Sequence, residues 1–367
     1  LPKVLVTDTQ GGLVAKTQFP GHDTVAVRPP KGSPLGRFNK LLQGAPPTIA
    51  IIRSRGGIGD VLMTTPTIKG IKKTYPNCHI TYGTDPLYLN GALMKVLDGN
   101  KYIDSLVDFH DIKAEDFDVV INLTCPCTAH EVPGAQPINR IDLFARHAGL
   151  TIPLSDPGMD YEVKEEERNW ARDWLDYRRL SGKKLVLVQV NSSTTRRDLP
   201  QIVLQKALVK VLTTVKNSRG IVILHSDNVS DVDWTLEGVT QLKNQDVRHI
   251  AALVECSNLV LCPDSSVLHL ASALRKNTVT FFGPTDPRAR VNYHPEAVAV
   301  WGAYDLKCKN CWWSQCRSNF ACWSKISSDM VAEPAICMLQ NNPVVTRPWL
   351  INYSNLNGPS SAVFEVL

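Results

Sequence analysis

One acidic side chain stands where a glycine-rich turn leads into an apolar helical pattern. Ser54-Arg55-Gly56-Gly57-Ile58-Gly59-Asp60-Val61-Leu62 follows the apolar run Thr48 to Arg53, and glycines at that place permit a tight strand-to-helix turn. A dinucleotide phosphate loop would want a third glycine where Leu62 stands, and its pyrophosphate would meet a like charge at Asp60. An aspartate at a helix N-terminus is held as the anion by the dipole and by backbone N–H groups. Such a carboxylate can take a proton from a hydroxyl within hydrogen-bond reach. The same position also suits a residue that only caps the helix.

Three further turns carry the complementary chemistry, that of binding an anion. Cys262-Pro263-Asp264-Ser265-Ser266 precedes the helical run Val267 to Leu274 and offers backbone N–H groups and two hydroxyls at a helix N-terminus, the arrangement that receives phosphate oxygens. Asp264 either fixes this turn or contacts a ligand, and His269 either reaches the ligand or packs. Ser192-Ser193-Thr194-Thr195-Arg196-Arg197-Asp198 follows the run Lys184 to Asn191; hydroxyls beside paired guanidinium groups suit a diphosphate, whose charge they neutralise as it leaves. Gly283-Pro284-Thr285-Asp286-Pro287 follows Phe282, with a glycine and prolines that also serve plain turn chemistry.

Cys308, Cys311, Cys316 and Cys322 form a C-x2-C-x4-C-x5-C pattern. Thiolates at this spacing suit a closed tetrahedral structural site, zinc by default and iron as the alternative, with no coordination position left for catalysis. Reduced thiols in a compact loop are the other reading. Trp312, Trp313, Lys307, Lys309 and Arg317 surround them as an acceptor surface or as cover. Cys125 and Cys127 read as structural, and Cys78, Cys256, Cys262 and Cys337 as ordinary buried positions.

The elements that must hold these turns alternate between strand-like and helix-like patterns. Thr48 to Arg53, His79 to Tyr82 and Asp118 to Leu123 read as strands and Val61 to Tyr75 as a helix; a charged helix over Lys164 to Arg179 leads to strands at Lys184 to Asn191, Gly220 to His225, Leu259 to Cys262 and Thr278 to Phe282, with helices from Gln201, Ile250 and Val267. Such alternation implies parallel βαβ units, and open parallel sheets bind ligands beyond the carboxyl ends of their strands. Residues 1–47, with short runs at Lys3 to Thr7 and Thr24 to Arg28, read as a small β appendage and linker. Residues 48–165 and 180–330 read as two α/β lobes facing a cleft, the second including the cysteine-rich loop 307–323, and 331–367 as a helix and tail. A chain of 367 residues suits two domains. No apolar run approaches the ~20 residues of a membrane span, and nothing at Leu1 to Asp8 resembles a secretion signal, so a cytoplasmic protein is expected, with a peripheral place at the inner face of a membrane as the alternative. A net charge of +5, spread along the chain, suits an anionic ligand as well as plain solubility and marks no nucleic-acid-reading element.

Three segments together resemble the heptosyltransferases, glycosyltransferase family 9: Gly57 to Pro66, Asp264-Ser265-Ser266 with His269-Leu270-Ala271, and Phe282 to Pro287. The resemblance covers residues 48 to 340. It implies an α/β GT-B fold with the acceptor on the N-terminal lobe and a nucleotide diphosphate sugar, ADP-heptose-like, on the C-terminal lobe. It also implies inversion without a catalytic metal or other cofactor, and Asp60 as base beside the acceptor-side loop residues Arg55, Gly57 and Gly59. The implied donor-binding residues are Thr194, Thr195, Asp264, Ser265, Ser266 and His269, to which the chemistry of the turns adds Ser193, Arg196, Arg197 and Thr285. Cysteine-rich segments occur in part of the family, including protein-modifying members whose site binds iron. Arg197 and Leu199-Pro200 replace the usual lysine and Trp-Pro, and Ser266 replaces a usual glycine, leaving the sugar and nucleotide open. The expected acceptor is a glycan or glycolipid, with a protein or modified DNA as the alternative, and a homo-oligomer fits as well. A reading of another class is a non-catalytic partner- or nucleic-acid-binding protein built on the cysteine module.

Overall fold

The computed structural model describes residues 46–124, 137–224, 232–309, 311, 316–345 and 347–353. The expected β appendage, Cys125 and Cys127, Trp312 and Trp313, and the end of the tail lie outside the described residues. Described residues up to 124 and Arg140–Glu162 cluster into one unit, and 137–139 with the chain from Val163 onward into a second.

The first unit is built on a parallel sheet of order β3-β2-β1-β4, from β1 (Thr48–Ile52), β2 (His79–Thr84), β3 (Ser105–Asp108) and β4 (Val119–Asn122). Ile49, Ile51 and Ile80 are fully buried, because helices cover both faces of a parallel sheet and its inner strands read as continuous apolar runs. The single helix expected over Val61 to Tyr75 is instead two, Ile58–Leu62 and Thr65–Thr74. Pro66 stands in the first turn of the second helix, where its missing N–H costs nothing but would break a continuous ladder.

The second unit carries the order β11-β10-β9-β8-β5-β6-β7. Its strands are β5 (Lys184–Gln189), β6 (Ser218–Leu224), β7 (Val239–Lys243), β8 (Leu259–Pro263), β9 (Thr278–Phe282), β10 (Ala297–Trp301) and β11 (Leu350–Asn352). All pairings are parallel except that of β11, which the tail adds antiparallel to β10. Counted from β5, this is the doubly wound dinucleotide-fold order with its reversal between β5 and β8. The helix Ser328–Leu339 packs on Gln201–Thr214 within the same unit. Glu167 and Arg248 pair through two hydrogen bonds of 2.6 and 3.0 Å, tying the entering helix Glu165–Tyr177 to Val247–Cys256.

Candidate functional site

In the first unit the turn after β1 is fixed by arginine. Arg53, 6% exposed, sends Nη1 to the carbonyls of Leu123 (2.5 Å) and Thr124 (2.7 Å) just past β4, and lies over the Phe144 ring at 5.2 Å. Its Nη2 stands 3.4 Å from Asp60 Oδ2. Gly56 has φ +139°, and a Cβ there would lie 2.5 Å from Arg53 Nη2, so glycine is required on both counts. The Gly57 N–H donates to Asp60 Oδ2 at 2.8 Å, and Arg140, opening the helix Arg140–His147, pairs with Asp60 Oδ1. The helix at Asp60 has only five residues, so its dipole is short. Two guanidinium groups and one amide orient the carboxylate, combining the capping contact with an ion-pair clamp. Arg55 points elsewhere, to Asp85 Oδ2 at 3.6 Å and over Tyr88 at 6.0 Å.

In the second unit the expected donor loops follow β5, β8 and β9, adjacent strands on the β5/β8 reversal. The loop after β5 is drawn shut by Asp198, which accepts from the Ser192 N–H at 2.6 Å and Asn191 Nδ2 at 3.1 Å. Arg197 turns to Asp264 Oδ2 (3.2 Å) and Ser193 Oγ (2.7 Å), and the Arg196 carbonyl accepts from Trp323 Nε1 at 2.8 Å. Ser193 and Thr195 are exposed and Thr194 half-buried. Asp264, 3% exposed, is the hub, with Arg290 Nε at 3.6 Å and His269 Nε2 at 3.9 Å besides Arg197. His269 is 4% exposed.

Around this hub several buried polar atoms have no protein partner: Ser265 Oγ, Thr285 Oγ1 and Arg197 Nε. Ser265 and Ser266 open the helix Ser266–Ala273, whose first amides face the same strand ends. Buried donors left unmade cost ~1–3 kcal/mol each, so their concentration in three neighbouring loops marks a place for an acceptor-rich ligand. Asp286, by contrast, is consumed by Arg288, with contacts of 3.0 and 2.6 Å.

The cysteines are neighbours. Burial, followed by the Cys308 and Cys316 thiols, raises Cys311, and burial first and those neighbours later push Cys322 up to about 11. The Phe320 N–H points at Cys316 Sγ, 3.2 Å away. Among the described residues, no group of three or more His, Cys, Asp or Glu side chains is arranged to hold a metal ion, and the four-thiolate site rests on the cysteine spacing alone.

Sequence reading missed Arg53, Arg140, Asp198, Arg290 and Trp323. Asp198, in the singled-out loop, and Arg53, seven residues before Asp60, had local signals; Arg140, Arg290 and Trp323 meet partners farther away along the chain.

The family model described as glycosyltransferase family 9 (heptosyltransferase) matches residues 129–321, just over half of the chain. A search of curated proteins finds no match. Among solved structures, the family 9 glycosyltransferase of Veillonella parvula aligns with a TM-score of 0.63 at 18% identity, covering 81% of this chain and 98% of that one. The E. coli ADP-heptose lipopolysaccharide heptosyltransferase II gives 0.59 at 12%, covering 80% and 99%. The dodecameric iron-containing heptosyltransferase TibC of enterotoxigenic E. coli, solved with ADP-D-beta-D-heptose, gives 0.58 at 13%, covering 81% and 76%. At such identities the alignments speak for the fold, a pair of parallel α/β units of the GT-B type.

Proposed function

Because the chain belongs to glycosyltransferase family 9, the heptosyltransferases, we propose that it transfers a heptose or hexose from a nucleotide diphosphate sugar to an acceptor hydroxyl, with inversion. The observation that carries this reading is the set of unpartnered donors, Ser265 Oγ, Thr285 Oγ1 and Arg197 Nε, around the β5/β8 reversal. A diphosphate supplies the acceptors they lack.

The reaction is a single displacement. Asp60 takes the proton of the acceptor hydroxyl, whose oxygen bonds to the anomeric carbon as the bond from that carbon to the diphosphate breaks. The leaving diphosphate carries the electron pair away and is stabilised by the Arg197 guanidinium, the Ser265 and Thr285 hydroxyls and the amides opening the helix at Ser266. Thr194, Thr195 and Ser193 close over the phosphates from the loop after β5. Asp264 holds Arg197 and Arg290 in place. Arg53, Arg140 and the Gly57 amide fix Asp60 in one orientation, worth much of the rate where reacting atoms must align. We assign catalysis without a metal, as the family resemblance implies, with Arg197 supplying positive charge to the leaving group.

ADP-heptose is the first donor to test, since two of the solved relatives are described by it, and a lipopolysaccharide-core glycan the first acceptor, in the cytoplasm or at the inner face of a membrane. No helix among the described residues is long and apolar enough to cross one. Cys308, Cys311, Cys316 and Cys322 are soft sulfur donors close together along the chain. A bound zinc or iron ion would hold the loop through these thiolates, and metal analysis of the purified protein tests it.

A thermal-shift screen of ADP-, UDP- and GDP-sugars tests the whole reading. A ligand at a hundred times its Kd stabilises the folded state by about 2.7 kcal/mol. At least one should shift the midpoint, and none doing so at millimolar concentration would overturn the proposal.

A further inference from the structure

The segment that the sequence marks as a cysteine module also forms a wall of the donor loops. Trp323, next to Cys322, is 4% exposed, and its Nε1–H donates to the Arg196 carbonyl at 2.8 Å. Its ring lies on the loop after β9: a Cβ at Gly283 would come within 2.4, 2.5 and 2.9 Å of the indole Cε2, Cζ2 and Cδ2. One side chain therefore touches the residue before Arg197 and the residue two before Thr285, in the two loops that bear the buried unpartnered atoms Arg197 Nε and Thr285 Oγ1.

The wedge is itself fixed. A Cβ at Gly302 would stand 1.8 Å from the Cys322 carbonyl oxygen, so the segment rests on bare backbone just past β10. Asn319 and Phe320 both adopt left-handed conformations, φ 44° and 54°, which are costly for side-chain-bearing residues. They turn the chain into the short helix Ala321–Ser324 that presents the indole. The Thr195–Arg197 turn is a single turn of 3-10 helix, too short to satisfy its own carbonyls. The indole N–H takes over one of them.

We propose that Trp323 is a positioning residue for the donor site, setting the loop after β5 against the loop after β9 so that Arg197 and Thr285 meet the diphosphate together. This rests on the donor assignment above and adds to it that the cysteine-bearing segment tunes donor affinity.

The test is Trp323→Phe, which keeps an aromatic ring and removes the donor. Without any ligand, backbone amides 194–198 should exchange faster with deuterium than in the wild type; unchanged exchange overturns the positioning role whatever the protein binds. With ADP as probe, and with whichever nucleotide sugar supports transfer, Kd and donor KM should rise about five- to tenfold, the worth of one hydrogen bond, while acceptor KM stays put. Equal rises in both KM values would overturn it. Ser327→Ala, which removes the cap on Met330 N–H at 3.3 Å and so weakens the helix Ser328–Leu339, is the control for general loosening; a matching loss of donor affinity there also counts against the proposal. Should Trp323→Phe not fold, the wild type suffices: ADP must slow exchange in 194–198 and 320–324 together, and protection of the first stretch alone overturns it. If the wild type binds none of ADP, UDP or GDP, the donor assignment fails, and the ligand-free exchange still judges the wedge.

Discussion

The two units surround their site carboxylates differently. In the first, Asp60 is met on both oxygens by Arg140, Arg53 and the Gly57 amide, so the carboxylate is oriented by the protein before any substrate arrives. In the second, Asp264 gathers Arg197 and Arg290, yet the surrounding loops keep Ser265 Oγ, Thr285 Oγ1 and Arg197 Nε without partners. A group that takes one proton from one hydroxyl needs a fixed direction. A site that receives a diphosphate needs donors in excess, and a folded chain can carry such an excess only at some cost in stability.

Replacing Asp60 breaks the comparison most severely. Asp60→Asn keeps the size and the N–H contact partner but removes the proton acceptor, so kcat should fall by roughly 10²–10⁴, the usual worth of a general base. Nucleotide affinity should not change, because the donor loops lie on the other unit's sheet. Near-normal turnover would leave Asp60 as a helix cap; loss of nucleotide binding as well would mean that the two sites are not separable.

Asp264→Asn comes next in size and reads out as stability. It leaves Arg290, with a side chain 3% exposed, and Arg197, at 19%, facing a neutral amide, and removing one partner of a buried ion pair costs ~3–5 kcal/mol. Urea unfolding should show a loss of about 3 kcal/mol, partly restored by saturating ADP if the phosphates bring counter-charge to the same guanidinium groups. A stable variant that loses only binding would make Asp264 a ligand contact and not a hub.

These contrasts also explain what could be read from sequence. The turns bearing Asp60, Asp264 to Ser266 and Thr285 were legible because strand, turn and helix lie consecutively along the chain, and the buried β5, β8 and β9 announce themselves as apolar runs. Their partners were not. Arg140 lies 80 residues from Asp60, and Trp323 lies 127 from Arg196, so only the folded sheet order brings them together. Strands β3 and β7, Ser-Leu-Val-Asp and Val-Thr-Gln-Leu-Lys, stand at sheet edges with half-buried residues, where the apolar pattern fades. Strand β10 is fully buried and its Ala-Val alternation was readable, but no chemistry-bearing turn drew attention to it. Of the paired arginines, Arg197 turns to Asp264, and the Arg196 carbonyl meets the Trp323 indole, a contact the local sequence does not announce.

The subtlest test concerns a single hydroxyl. Thr285 is 3% exposed and its Oγ1 has no partner, so in the free protein it is a buried polar atom with nothing to gain from being polar. Thr285→Val should leave the unfolding midpoint unchanged or raise it, since removing an unmet hydroxyl returns its desolvation cost. The same change should weaken nucleotide binding about tenfold, because a hydrogen bond to a charged phosphate oxygen is worth roughly 1.5–3 kcal/mol. Ser265→Ala should behave alike, as its hydroxyl makes no capping bond to the helix it opens. Opposite movement of stability and affinity is the signature of a group held in reserve for a ligand. A variant that loses stability and keeps its affinity would show that the hydroxyl serves the fold, and would erase the difference between the two units.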